Sequence, residues 1–238
     1  MRIGGVLDMS TVDYPGKISS VVFFHGCNFR CPFCYNVSLV EGEDYREVGT
    51  KDILGELKKN REFIDAVVMT GGEPTLQPEA LEELSRQAKD LKLLVKLDTN
   101  GYTPDILRKL LKSGLLDFVS LDIKASPEKY NRLAGINCDL NKIKQSIQII
   151  RNYGVEYELR TTIVPGQNDD PEDIRKICDF IGSSPYVLQQ FRPEGGTLGK
   201  SLKAEKMDKN KLEKLAEISK ERGLKVKIRT EEGGEEVV

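Results

Sequence analysis

Three cysteines, Cys27, Cys31 and Cys34, fall within eight residues directly after the apolar run Val21-Val22-Phe23-Phe24. Thiolates at i, i+4 and i+7 on one loop can converge on a single iron–sulfur cube, each binding a different iron. Three ligands leave the fourth iron an open position where a small molecule can coordinate and react. A cluster that only carries electrons normally takes four cysteines, so an open iron points to chemistry. Two other uses of these thiols stand beside that reading. A structural zinc site would need a fourth ligand, and His25, the only histidine, lies two residues before Cys27; zinc ligands more often come as two separated couples. A disulfide framework fits poorly with an odd total of five cysteines, no signal peptide and a 238-residue chain that needs no staples. Cys138 and Cys178 stand alone at helix-like positions, as small buried residues do.

The elements that must position this loop follow from periodicity. Apolar strand-like runs at 20–24, 66–69, 93–97, 118–123, 155–164, 186–191 and 224–228 alternate with amphipathic helical patterns. Thr50-Lys51-Asp52 opens a helix with Ile53, Leu54 and Leu57 on one face. Pro78, Pro104 and Pro171 each open another, and further helices fall near 141–152 and 208–222. Continuously apolar strands alternating with helices mean a parallel sheet with helices outside, here a partial (β/α)6 barrel of the TIM type. One domain over 1–230 is expected, and the acidic, glycine-containing stretch 231–238 is expected to be a flexible tail.

Composition narrows the partners. Lys and Arg total 36 against 38 Asp and Glu, a net charge of −2, which leaves no nucleic-acid footprint. The cluster Lys58-Lys59-Asn60-Arg61 reads as a solvated helix face. No apolar stretch approaches the roughly 18 residues of a membrane span. A thiol-held cluster and the lack of an export signal both imply the cytoplasm.

Polar motifs recur where the strands end: Gly71-Gly72-Glu73-Pro74, Asp98-Thr99-Asn100-Gly101, Asp122-Ile123-Lys124, Pro165-Gly166-Gln167-Asn168 and Gln189-Gln190-Phe191-Arg192-Pro193. In a barrel-like parallel sheet the C-terminal strand ends form the face that carries active sites. Gly71-Gly72 lets backbone approach closely, and with Glu73 can hold an ammonium group; an isolated glycine pair is also an ordinary turn. Asp98 and Asp122 can bind hydroxyls, amines or a shared cation. Lys124 and Arg192 suit a carboxylate, or a plain surface ion pair. Phe33 and Tyr35 can lie beside a planar base, or simply pack.

Cys-x3-Cys-x2-Cys with an aromatic before the last cysteine, together with Gly-Gly-Glu-Pro, resembles the radical S-adenosylmethionine (SAM) superfamily. Thr11-Val12-Asp13-Tyr14-Pro15-Gly16, Phe24-His25-Gly26-Cys27-Asn28, Asp98-Thr99-Asn100-Gly101, Leu121-Asp122-Ile123-Lys124 and Val164-Pro165-Gly166 resemble its glycyl-radical-enzyme activase branch. Within that branch the chain looks nearest to the activating proteins of anaerobic ribonucleoside-triphosphate reductases. The resemblance implies an anaerobic, cytoplasmic oxidoreductase. Cys27, Cys31 and Cys34 would hold a [4Fe–4S] cluster, and SAM would chelate the open iron. Phe33 and Tyr35 would contact adenine, Gly71, Gly72 and Glu73 the methionine amino group, with Asp98 nearby, and Asp122 and Lys124 the ribose and methionyl end. Arg192 would reach SAM from the last loop. Some activases also hold a monovalent cation, at positions matching Asp98, Thr99, Ser120 and Asp122. The resemblance further implies a glycyl radical enzyme as protein partner and a flavodoxin or ferredoxin as electron donor. No extra cysteines lie between Val37 and Ile64, so a single cluster is expected. Two alternatives remain: a radical SAM enzyme acting on a small molecule or tRNA, and a non-catalytic iron–sulfur or zinc protein.

Overall fold

In the computed structural model, which describes residues 1–43, 45–193, 196–199, 202 and 205–238, strands and helices alternate through most of the chain. In order they are β1 (Arg2–Tyr14), β2 (Lys17–Phe24), α1 (Val37–Glu41), β3 (Arg46–Glu47), α2 (Thr50–Lys59), β4 (Ala66–Gly71) and α3 (Pro78–Asp90). Then come β5 (Leu94–Thr99), α4 (Pro104–Lys112), β6 (Phe118–Asp122), α5 (Tyr130–Ala134), α6 (Leu140–Tyr153), β7 (Glu156–Ile163) and α7 (Pro171–Ile181). The chain finishes with β8 (Tyr186–Gln190), α8 (Lys209–Glu221), β9 (Val226–Thr230) and β10 (Gly234–Val237). The fold is α/β with a mostly parallel sheet. Among the described residues no helix is long and apolar enough to cross a membrane.

By its internal contacts the chain divides into two compact units. The first comprises Met1–Asn28, Asn36–Ser120 and Asn141–Tyr157; the second comprises Phe29–Tyr35, Leu121–Leu140 and Glu158–Val238. The chain passes from one to the other inside β6, after Ser120.

In the first unit the strand order is β3-β1-β2-β4-β5, with β2, β4 and β5 parallel. Ala66, Val67, Val68 and Met69 of β4 are all fully buried. A strand covered on both faces has no use for alternation, which is why this run is uninterruptedly apolar. Leu81, Leu84 and Ala88 of α3, and Leu107, Leu110 and Leu111 of α4, are buried along single helical stripes. Each such leucine contributes about 1.5–3 kcal/mol. Proline at the first helical turn starts both helices without losing a backbone bond.

No strand is expected before Ser20, yet β1 runs antiparallel to β2 through a turn at Pro15-Gly16, where Gly16 has φ 68°. Register shifts at Ile3/Gly5, Leu7/Ser10 and Ser10/Tyr14 break the two-residue period that would have announced it.

In the second unit the order is β7-β8-β9-β10, with β7, β8 and β9 parallel and β10 antiparallel. The stretch 231–238 is therefore not a frayed tail: Gly234 to Val237 pairs with Thr230 to Lys227. Its acidic residues have basic partners there. Glu235 meets Lys227 and Arg229, Glu231 and Glu232 meet Lys206, and Glu236 meets Lys209. Acidic composition read as solvating was half of a set of ion pairs.

Candidate cluster and cofactor site

All the strand-end motifs sit where expected. Cys27 follows β2, Gly71-Gly72-Glu73 closes β4, Asp98-Thr99 closes β5, Asp122 closes β6 and Arg192 follows β8.

In the first unit, the glycine pair serves a backbone-on-backbone approach. Gly71 has φ 114°, and a Cβ there would lie 2.5 Å from the Phe24 carbonyl oxygen. A Cβ on Gly72 would lie 2.1 Å from the Gly26 oxygen. The Gly72 and Glu73 N–H groups donate to Phe24 O and Gly26 O, each at 2.8 Å. The β4 exit thus grips the β2 exit one residue before Cys27, and only residues without a side chain allow the grip.

Glu73 is fully buried and anchors the next loop. Its Oε1 accepts from Thr75 N (3.2 Å), Thr75 Oγ1 (2.6 Å) and Thr99 Oγ1 (2.8 Å), and its Oε2 accepts from Asn100 N (2.8 Å). Burial pushes its carboxyl up, against the pull of these donors. With both oxygens taken by the protein, Glu73 organises the β4 and β5 loops. Asn100 Nδ2 donates to Asn28 Oδ1 at 2.7 Å, and Cys27 Sγ lies 3.9 Å from the same oxygen. Thr99 Oγ1 in turn accepts from Gly101 N at 3.1 Å. Asp98 pairs with Lys96 at 2.5 Å, and Ser120 is fully buried. His25 Nε2 bonds the Gly42 carbonyl at 2.8 Å and its ring packs on Tyr45. The other ring nitrogen, Nδ1, is buried without a hydrogen bond, so the zinc alternative keeps a ring nitrogen to use.

In the second unit, Cys34 N donates to Cys31 O at 3.0 Å, turning the loop between them. Arg30 N donates to Ala134 O at 2.9 Å, and a Cβ on Gly135 would lie 2.0 Å from Arg30 O, so α5 backs the loop at van der Waals limits. Phe33 is buried; Tyr35 is partly exposed and stacks on Phe191, with ring centroids 5.6 Å apart and planes 18° apart. Tyr35 Oη accepts from the Arg192 N–H at 2.8 Å, which fixes the start of the β8 loop against the cysteine loop. The same loop returns at Leu198 and Gly199, whose N–H groups donate to Cys34 O (3.1 Å) and Pro32 O (2.8 Å).

Asp122 Oδ1 accepts from Arg160 Nε at 2.9 Å and Oδ2 from Lys124 Nζ at 3.1 Å. Burial alone would raise the Asp122 carboxyl, but Arg160 and then Lys124 outweigh it and hold it at about 2. Burial opposes the charge on Lys124 as well, yet Asp122 and the adjacent Cys31 keep it firmly protonated. A carboxyl held below its ordinary value of 3.8 adds stability above that pH and loses it as pH falls through about 2. Asp122→Asn is therefore expected to cost about 2 kcal/mol near neutral pH, a deficit that shrinks to nothing in acid. Urea unfolding of the metal-free protein across that range checks it.

Cys27 belongs to the first unit and Cys31 and Cys34 to the second. Among the described residues no three His, Cys, Asp or Glu side chains stand gathered as a metal site. The fit to an iron–sulfur cube rests on the donor set: three cysteines of one loop in no disulfide, Cys31 buried, the other two partly exposed, and a fixed ammonium beside Cys31. Lys96 and Arg160 are absent from the residues the sequence singled out, and Asn28 appears there only as the end of a motif, with no role. Lys96 had a signal, since two residues before Asp98 in a strand is the same face; Arg160 had none local to Asp122.

The model of the radical SAM superfamily matches residues 21–181. The chain is 37% identical, over 99% of its own length and 98% of the relative's, to a protein of Methanocaldococcus jannaschii named as a glycyl-radical enzyme activating enzyme. It is 31% identical to the pyruvate formate-lyase-activating enzyme of Clostridium pasteurianum, covering 92% of this chain and 97% of that one. Among solved structures, a radical SAM methyltransferase from Sphaerobacter thermophilus superposes with a TM-score of 0.73 at 16% identity, over 92% of this chain and 68% of that one, a likeness of fold.

Proposed function

The chain belongs to the radical SAM superfamily, and from that premise we propose that it installs a glycyl radical on a partner enzyme, an anaerobic ribonucleoside-triphosphate reductase. The observation that carries the activase reading is end-to-end similarity to relatives named as glycyl-radical enzyme activases, with the cysteine loop intact; the choice of the reductase rests on the motif resemblance alone. The family implies a [4Fe–4S] cluster and SAM. Cys27, Cys31 and Cys34 would hold the cluster; the peptide groups of Gly71-Gly72, with Asp98, Asp122, Lys124, Arg192, Phe33 and Tyr35, would hold SAM. When bound and supplied with one electron from a flavodoxin or ferredoxin, this pair would supply the one-electron chemistry that removes the glycine α-hydrogen, SAM being cleaved to methionine and 5′-deoxyadenosine. The chain's own work is positioning. Glu73 and the glycine pair fix the Cys27 end of the loop, α5 and the 196–199 segment fix the Cys31 and Cys34 end, and Lys124 presents a charge of defined orientation. A hydrogen-atom transfer needs no general base, which suits a site with a single, structurally engaged histidine. A thiol-held cluster would suit the reducing cytoplasm.

Two measurements test this. Lys124→Ala is expected to weaken SAM binding about 10–100-fold, the worth of one charge-assisted contact, with iron retained; unaltered affinity by calorimetry overturns its role. Reduced protein, SAM and the reductase of the same organism are expected to give a doublet radical signal by electron paramagnetic resonance, lost when the target glycine becomes alanine. A signal only with pyruvate formate-lyase would reassign the partner. SAM cleavage with neither protein giving a signal would shift the reading to a small-molecule or RNA substrate.

A further inference from the structure

The residues that the resemblance assigns to a monovalent cation do not fit one. Asp98 and Asp122 are the charged members of that set, and each is already neutralised by its own unit. Lys96 is 2% exposed, and its Nζ lies 2.5 Å from Asp98 Oδ1. Thr70 Oγ1 approaches the other oxygen at 3.5 Å, and the Phe118 ring centre lies 5.9 Å from the ammonium. An ammonium buried this deeply does not stand without its carboxylate, because desolvation of the lone charge is prohibitive. The two side chains leave one face of β5 two residues apart, so the pairing is dictated by the strand itself. The Thr99 hydroxyl donates to Glu73 at 2.8 Å and accepts from Gly101 N at 3.1 Å, which leaves it one lone pair and no charge to offer a cation. Independently, in the second unit, Asp122 spends one oxygen on Arg160 and the other on Lys124. Asp98 thus already faces a fixed ammonium in its own unit, and Asp122 already faces two fixed cations in its own.

We propose that Lys96 is the built-in counter-ion of Asp98, a positioning residue that makes cofactor binding independent of sodium or potassium. The proposal rests on the reading of the chain as a SAM-binding enzyme, and its test separates the two. Cluster-loaded protein is titrated with SAM by calorimetry in potassium, sodium or tetramethylammonium chloride at equal ionic strength. Affinity is expected to agree within about twofold across the three salts. Lys96→Met, which keeps the length and removes the charge, is expected to bind about tenfold more weakly in tetramethylammonium and to recover in potassium or sodium. A wild-type affinity that rises about tenfold on adding either small cation overturns the proposal. Sodium-23 relaxation on the wild-type protein reads cation capture without SAM or any variant. Excess broadening that Asp98→Asn removes overturns the proposal even if Lys96→Met fails to fold, and absence of broadening supports it. SAM failing to bind in every salt, with no sodium broadening, sinks the functional reading and leaves the counter-ion standing.

Discussion

Replacing any one of Cys27, Cys31 or Cys34 by alanine is expected to leave the anaerobically reconstituted protein without a stable cluster, whereas Cys138→Ala and Cys178→Ala retain it. Three thiolates are the whole protein-derived ligand set of the proposed cube, so losing one removes a third of it and opens a second iron to solvent. Cys138 and Cys178 are buried in the second unit and are not part of that loop; Cys178 lies in α7, where burial raises its thiol. Iron and sulfide analysis, with the visible absorption of the cluster, reads the result. Stoichiometric zinc and no iron after anaerobic purification would overturn the cluster and reopen the zinc alternative.

Gly72→Val is expected to be nearly as damaging by a different route. Its Cβ would enter the 2.1 Å space beside the Gly26 oxygen, and both sides of that contact are backbone. Neither can swing away as a flexible side chain would, so the two strand exits must part, at a cost of about 3 kcal/mol or more. The Glu73 N–H to Gly26 O bond goes with them, and Cys27, one residue on, loses its fixed origin. Lowered thermal stability and substoichiometric iron are the expected readouts. Gly55→Ala is the control: nothing lies within 4 Å of its Cβ in α2, so a gain of about 0.5–1 kcal/mol is expected there. If both variants behave alike, the grip of β4 on β2 is not what holds the loop.

The parallel strands and their helices were legible because each depends on a local signal. Buried strands are apolar without interruption, as in Ala66 to Met69, and three helices announce themselves by proline. Motifs at strand ends were legible for the same reason, since placing a strand also places the loop at its end. What escaped depends on pairing between distant residues. β1 has three irregularities and no alternation to read. Segment 231–238 is acidic in isolation and becomes a strand only opposite Lys227 and Arg229. Glu73 read as a ligand for an ammonium, and only the fold shows Thr75, Thr99 and Asn100 turned onto it. The partners of Asp122 divide the same way: Lys124 is two residues off, whereas Arg160 comes from β7.

That arginine belongs to a row of alternating charges. From Asp122 it runs through Arg160 to Glu158, then Arg229, then Glu235 on β10. Every interior member is shared by two neighbours, so none can change sign without its neighbours re-pairing. The last strand is thereby coupled to a site residue more than a hundred positions earlier, with no ligand contact of its own. Loss of the carboxylate at Glu235 would leave Arg229 to Glu158, the first re-pairing along the row.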